Sequence, residues 1–393
     1  MAAQIKKEWL EISFSSCLQK IRIGRKKQVK EKEYLKVGVY PIVDQGQSII
    51  AGYTNDKNKV IFDIQPFIIF GDHTRILKYI DFPIALGADG TKVIKPTSDF
   101  DVKFFFYFLK YLNIPSRGYN RHYTILKEKS ILQPPLPEQK SIARVLTTVQ
   151  EAIAGQEELI AKLKELKRSM MQHLFTYGTK GERMKMTEIG KLPESWDVVK
   201  LGELCDVKGG KRLPKGDKLV SNHTGLPYIR VTDLSDNSVD LSNIQYLTPE
   251  TQRSISKYTI SINDIYISIA GSIGFVGIVP NELDGANLTE NAAKLCLKVS
   301  RVQHRYLMYW LISDQVQKDI KLQTVKNAQP KLSLARIQNI PCVIPSDDEQ
   351  TQISEMIDAV RLKISLAENK LSAYQNLFKT LLHELMSGEK RIK

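Results

Sequence analysis

Cysteine is scarce in this chain: four occur in 393 residues, and no two form a C-x-x-C pair. That excludes a disulfide scaffold and a structural zinc site of the usual spacing. Long apolar runs are missing too. The greasiest stretch, Phe104 to Leu109, is closed by Lys103 and Lys110, far short of the roughly 20 residues that span a bilayer. The opening MAAQIKKEWL has no apolar core of a secretory signal, so the expected compartment is the cytosol, with no membrane partner. Catalytic signatures are equally thin. The six histidines show no ligand spacing, and there is no Walker loop and no H-E-x-x-H. Gln133-Pro134-Pro135-Leu136 lacks the Asn and the aromatic of a methyltransferase tetrad. Gly271, Gly274 and Gly277 follow an apolar run without the dinucleotide-binding spacing, and read as a tight turn. Glu165-Leu166-Lys167 and Glu368-Asn369-Lys370 have a nuclease-like local spacing but fall where alternating charge marks a helix face. The expectation is a non-catalytic chain with no metal and no cofactor of its own.

What the sequence does have is positive charge. Lys plus Arg is 57 against 43 for Asp plus Glu, a net +14, which favours a polyanionic partner. The length exceeds one ordinary core and implies two domains or more. With 42% hydrophobic and 25% charged residues, the chain is globular.

The chain reads as one plan written twice. Leu126 to Pro137 matches Leu334 to Pro345, and Glu138-Gln139 matches Glu349-Gln350. From there a constant offset holds: Ile142 falls on Ile353, Leu146 on Ile357, Met170 on Leu381 and Leu174 on Leu385. Upstream, Trp9 and Cys17 answer loosely to Trp196 and Cys205, each pair followed by a basic stretch, Lys20 to Lys30 and Lys208 to Lys218. The units are 1–135, a helix 136–178, a polar linker 179–191, 192–345, a helix 346–388 and a tail 389–393.

The second helix carries Ile353, Ile357, Val360, Ile364, Ala367, Leu371, Tyr374, Phe378, Leu381 and Leu385 at alternating steps of four and three, the coiled-coil seam pattern. The first repeats it with Ile142, Leu146, Val149, Ile153, Ile160, Leu163, Met170 and Leu174. Gln156 and Lys167 interrupt this seam, where flanking Leu159 and Leu166 are expected to cover. Pro137 and the acids Asp347, Asp348 and Glu349 suit helix starts, and Gly178 and Gly388 stand past the ends. At about 36 residues, each helix spans roughly 54 Å. An apolar seam must be buried. Each helix is expected against the other, antiparallel; the alternative is that each packs only on its own domain.

The charge lies elsewhere. Segment 1–137 is net +9 and 176–348 net +3, whereas helix segments 138–175 and 349–386 are +1 and −1. This suits two nucleic-acid-contacting heads on a neutral spacer. Strand signals dominate the heads (Tyr40–Val43, Ile61–Ile69, Lys92–Lys95, Leu226–Val231, Asp264–Ala270, Lys294–Val299), with one helical stretch in each, Val102–Leu112 and Arg305–Lys321. The fold class is α+β: two α/β heads separated by two long helices in an antiparallel coiled coil, with an internal pseudo-twofold repeat.

This plan resembles the specificity (S) subunit of type I restriction-modification systems. The residues that carry the resemblance are Pro135-Leu136-Pro137-Glu138-Gln139 with the helix to Leu174, Pro345 to Gln350 with the helix to Leu385, Trp196 to Cys205, Pro227-Tyr228-Ile229-Arg230 and Gly271-Ser272-Ile273-Gly274. The resemblance covers essentially the whole chain. It implies two target-recognition domains, each reading half of a split site in double-stranded DNA, and a coiled coil that sets the gap. It further implies two DNA methyltransferase (modification) subunits docked on the coiled coil, and restriction/translocase subunits beyond them. S-adenosylmethionine, ATP and Mg are then expected on those partner subunits.

Candidate DNA contacts follow from residue type: Lys and Arg for phosphates, and Arg, Lys, Asn, Gln, Ser, Thr or Asp on loops for bases. In the first head they are Lys57, Lys59, His73, Arg75 and the run Arg117, Tyr119, Asn120, Arg121, His122. In the second they are Lys211, Arg212, Lys215, Arg230, Thr232, Asp233, Lys326, Asn327, Gln329 and Lys331. If Arg230 reads a base, alanine there costs about 1–3 kcal/mol on the cognate site. The alternative for each is a solvated charge. Two other readings of the whole chain stay open: a recognition subunit of a fused methylase-nuclease system, and a scaffold whose heads bind proteins.

Overall fold

The structure, a computed structural model, describes residues 9–21, 23–24, 28–87, 90–116, 118, 120–235, 237–324 and 331–392. It divides into two units, Met1–Leu159 with Ala367–Lys393, and Ile160–Leu366. Two long helices, Leu136–Tyr177 and Asp347–Ser387, contribute a stretch to each unit. They run to 42 and 41 residues, longer than the seam alone predicts, because the acidic and proline-containing starts are themselves helical.

In the first unit, strand Leu10–Ser13 pairs antiparallel with Ser130–Gln133, just before the first long helix. Phe67–Gly71 is the middle of an antiparallel three-stranded sheet, flanked by Leu77–Ile80 and Thr91–Ile94. A second sheet orders Gln28–Val29, Ile84–Gly87, Tyr40–Val43 and Gly52–Thr54, with Val60–Ile61 also on Ile84–Gly87. The expected strand Ile61–Ile69 is therefore two strands, broken where Pro66 can donate no ladder hydrogen bond. Helix Val102–Tyr111 is capped by Asp101, whose Oδ1 accepts from the Lys103 and Phe104 amides at 3.0 and 2.8 Å. Phe104 to Leu109 are all buried, as in a helix with protein on every side. Phe106 meets Tyr79 of the sheet, and Tyr107 meets Phe378 of the second long helix, both at 6.0 Å between ring centroids.

The second unit repeats the plan. Asp197–Lys200 pairs antiparallel with Pro341–Ile344 ahead of the second long helix. The main sheet orders Cys205–Gly209, Ala292–Leu297, Asp264–Ser268 and Val276–Ile278, antiparallel throughout. The turn Gly271 to Gly274 joins the last two, with both glycines at positive φ, which L side chains avoid. The helical stretch expected over Arg305–Lys321 is two helices, His304–Ile312 and Asp314–Thr324, because Ser313 takes extended ψ. Segment 179–191, expected as a linker, carries strand Met184–Thr187, paired antiparallel with Gly190–Pro193.

The helix pairing is antiparallel within each unit. In the first, Ile142 and Leu146 join the core with Leu385, Met386 and Phe378, and the Gln156 side chain donates to the Ala367 carbonyl at 3.2 Å. The polar fault in the seam is thus a satisfied interhelical hydrogen bond. In the second, Leu174 and Phe175 share a core with Ile353 and Ile357. Each stretch also packs on its own domain, so pairing and domain packing hold together rather than as alternatives. Val149, Ile153, Leu163, Met170, Leu371, Tyr374 and Leu381 are only half-buried, whereas Ile160, Val360 and Ile364 are buried. Leu159 and Leu166 do not cover the seam. They stay 44% and 51% exposed, since each sits about 100° round the helix from the seam residue that follows it.

One device anchors each domain to its helix. Glu138 and Glu349, at matching places, are buried and accept from Trp9 Nε1 at 3.3 Å and Trp196 Nε1 at 3.2 Å. Glu138 is gripped by Arg391 at 2.6 and 2.7 Å; Glu349 takes the Thr179 amide at 2.8 Å and lies 3.4 Å from the Lys180 ammonium. Next along, Gln139 Nε2 donates to the Pro134 and Asp99 carbonyls, and Gln350 Nε2 to those of Pro345 and Arg301. Gly178 and Gly388 end the helices at positive φ and pack beside Trp196 and Trp9.

Candidate nucleic-acid interface

In the first unit, three loops are tied together where the three-stranded sheet ends. Asp72, 2% exposed, leaves strand Phe67–Gly71 and accepts from the Tyr123 amide at 2.9 Å, while its carbonyl accepts from the His122 amide at 2.8 Å. Gln45 Oε1 accepts from the His73 amide, and the Gln45 carbonyl takes the Thr74 hydroxyl. Lys78 is buried and donates to the Asp44 and Ser48 carbonyls. Burial lowers its pKa, opposed by Asp44. An internal cation thus holds up the 44–48 loop, and Asn120, Arg121 and the half-exposed Lys92 stand at the surface of the cluster.

The candidates of this domain divide. Arg121 and Asn120 are exposed, whereas His122 is fully buried against the Asp72 carbonyl and is a core residue. His73 is half-buried. Arg75 donates to the Ile114 carbonyl at 2.9 Å and lines a cavity with Lys110 and Asn113. Lys59 pairs with Glu33 at 2.8 Å, and Lys57 lies over the Phe62 ring, so neither belongs to the loop cluster. Arg117 and Tyr119 fall outside the described residues, as do Lys326, Asn327 and Gln329 of the second domain.

In the second unit, the basic run after strand Cys205–Gly209 lies alongside strand Asn287–Leu288 and the segment after it. The Gly210 amide donates to the Ala292 carbonyl and the Lys211 amide to that of Leu288. Lys211 Nζ lies 5.4 Å from the Tyr258 centroid, Arg212 pairs with Glu290 at 2.7 Å, and Lys215 is exposed. Lys331 is exposed, its backbone bridged to Ala270 beside the glycine turn. Thr232 is exposed as well.

Arg230 and Asp233 behave differently from the expectation. Arg230 Nε and a terminal nitrogen grip the Asp233 carboxylate at 3.0 and 2.6 Å, and the same nitrogen donates to the Asn243 carbonyl. That hydrogen bonding holds the guanidinium pKa above its ordinary value. Asp233, 3% exposed, also accepts the Arg230 amide. The pair is an internal clasp over the turn Val231–Asp233, and Asp233 offers no face to a base.

Sequence reasoning missed Lys92, Lys208, Lys257 and Lys294. The last three line a cavity of about 290 Å³ with Gly209, Gly210, Tyr258, Thr259 and Leu288. Lys208 alone carried a signal, as the first residue of the basic run. Lys92 and Lys294 take their places through strand register, and Lys257 through the turn that follows helix Pro249–Ser254. Among the described residues no group of three metal-ligating side chains occurs, and no helix is long and apolar enough to cross a membrane.

Both domains thus present cation-rimmed loops or cavities at their sheets, and known proteins share the plan. A family model described as the type I restriction modification DNA specificity domain matches residues 13–165 and again 193–373. The MjaVIII type I restriction enzyme specificity subunit of Methanocaldococcus jannaschii is 25% identical over 275 residues, 68% of this chain and 64% of that protein. The chain therefore spans just under two thirds of that relative's length. The EcoR124I/EcoR124II specificity subunit of Escherichia coli is 23% identical over 357 residues, 89% and 86% of the two chains. The solved S subunit of a type I restriction-modification system from M. genitalium shares the fold, with a TM-score of 0.64 at 19% identity over 96% of each chain. Matched on both copies of its duplicated plan, and over most of its length, the chain belongs to the type I restriction-modification DNA specificity family.

Proposed function

We propose that this chain is the non-catalytic DNA-reading subunit of a type I restriction-modification complex, and that each domain reads one half of a bipartite double-stranded target. The observation that carries this is the duplication: each unit has a mixed strand-and-helix domain clamped to its long helix by the same Trp, Glu and Gln. Two readers built on one plan suit two half-sites. Cations in the loops and cavities supply phosphate contacts, and exposed polar residues beside them, such as Asn120 and Thr232, supply base contacts.

The long helices have a second role in this reading, the docking of two methyltransferase subunits. Leu362 and Leu366, one turn apart in the second unit, are 61% and 59% exposed. Leucines so placed on a helix suit a partner's apolar surface. S-adenosylmethionine, ATP and Mg then belong to the modification and restriction/translocase subunits, and the complex works in the cytoplasm.

The test is co-expression with a type I modification methyltransferase subunit, followed by mapping of methylated bases across the host genome. A split motif with a fixed gap is expected. An unbroken motif, or none, would refute the bipartite reading.

A further inference from the structure

We infer that the cavity lined by Lys208, Lys257 and Lys294 is a seat for one backbone phosphate of the DNA. The inference rests on the DNA-reading role proposed above and names one site within it.

The first reason is register. Lys208 and Lys294 are direct Cα partners on neighbouring antiparallel strands, and both line the cavity. Like charges directly opposite each other destabilise a sheet. A lysine on an edge strand is ordinary protection against unwanted pairing, which accounts for Lys208 on Cys205–Gly209. It does not account for Lys294, which lies on the inner strand Ala292–Leu297. A third ammonium, Lys257, enters from a different segment.

The second reason is incomplete neutralisation. Lys294 lies 3.3 Å from Asp264, and Lys208 lies 3.5 Å from Asp206, a pair with both side chains more than half exposed. The three lining cations thus have two carboxylates beside them, and Lys211 lies over Tyr258 of the same wall. A bound monoanion offsets part of that excess.

The third reason is shape. At Gly210, a Cβ would overlap the Thr289 and Leu288 carbonyl oxygens, so the chain runs tight against the neighbouring segment at the cavity wall. At about 290 Å³, the space holds a phosphate group with part of its sugar. The wall continues directly into Lys211, Arg212 and Lys215, so a strand seated here would run on past the exposed cations of the same domain.

The test uses the full chain co-expressed with its methyltransferase, bound to cognate and random duplexes over a range of salt. In the double variant Lys208→Gln/Lys257→Gln, the slope of log affinity against log salt should become shallower by about 0.9, the share of one phosphate that is no longer neutralised. The drop should be equal on both duplexes. Removing one member of the facing pair also relieves repulsion, so the melting temperature should hold or rise, which separates impaired binding from impaired folding. Lys191→Gln, at an exposed position of strand Gly190–Pro193, should leave the slope unchanged. An unaltered slope in the double variant, with the wild type still binding, overturns the phosphate seat alone. A loss confined to the cognate duplex overturns it in favour of base reading. A wild-type complex that binds neither duplex overturns both this and the DNA-reading role.

Discussion

Glu349→Ala should lower the unfolding temperature of the second unit by a margin that is easy to measure. The glutamate is wholly buried and accepts from the indole N–H of fully buried Trp196, which has no water to turn to, and from the amide of half-buried Thr179. An orphaned buried donor costs about 1–3 kcal/mol and the half-buried amide adds less, so the pair accounts for about 2–4 kcal/mol. Lys180 adds little, because its side chain is 46% exposed and rehydrates. For a unit of this size each kcal/mol moves the transition by about 2–4 °C, so a drop of about 10 °C is expected. Glu349→Gln keeps the shape and one carbonyl acceptor and should lose about 1–2 kcal/mol. Tryptophan fluorescence during heating reads the change locally, because Trp196 and Trp310 both lie in the core of this unit. An alanine variant melting within about 2 °C of wild type would refute the claim that the buried carboxylate anchors domain to helix. A glutamine variant as weak as alanine would show that the charge matters more than the acceptor atoms.

Arg391→Ala should destabilise the first unit by about 1–3 kcal/mol, seen as an earlier transition in Trp9 fluorescence, because it removes the paired grip on Glu138. Arg230→Ala should cost about 2 kcal/mol of stability by opening the Asp233 clasp, with any loss of DNA affinity equal on cognate and random duplexes. A stable variant with a cognate-only loss would restore Arg230 as a base reader. Gly210→Ala should fail to give stable protein, because its methyl would meet backbone on the neighbouring segment rather than a side chain that can swing away; recovery of wild-type melting behaviour would contradict this. Burial pushes the Cys205 thiol up to about 12, helped by Cys296, itself pushed up to about 11. A raised thiol keeps its proton in the fold and loses it sooner in the unfolded chain. Stability from this source is therefore complete below pH 9 and drains away as pH climbs from there towards 12. Alkylation at pH 8 should be slow in the native chain and fast once it is denatured.

The duplicated plan, the two helices and the sparing of those helices by the charge could all be read from residue order. Those features are periodic or local. A seam repeats every three or four residues whatever it packs against, and a charge excess can be counted. The family resemblance rests on the same order of motifs. The site was legible only in part, and particular residues show why. Lys211, Arg212, Lys215, Asn120 and Arg121 are on the surface as their type suggests. His122 and Asp233 are of equally suitable type, yet they are buried, since a polar residue's fate depends on whether a distant partner is there to receive its hydrogen bonds. Gln156 looks like an error in the seam until the Ala367 carbonyl is found opposite it. Lys208 and Lys294 become neighbours only once their strands choose a register, and a shift of one residue would turn them to opposite faces. Pairing of that kind is settled by the whole packed core at once. Periodicity along the chain therefore announces the scaffold, and long-range register assembles the surface proposed above to meet DNA.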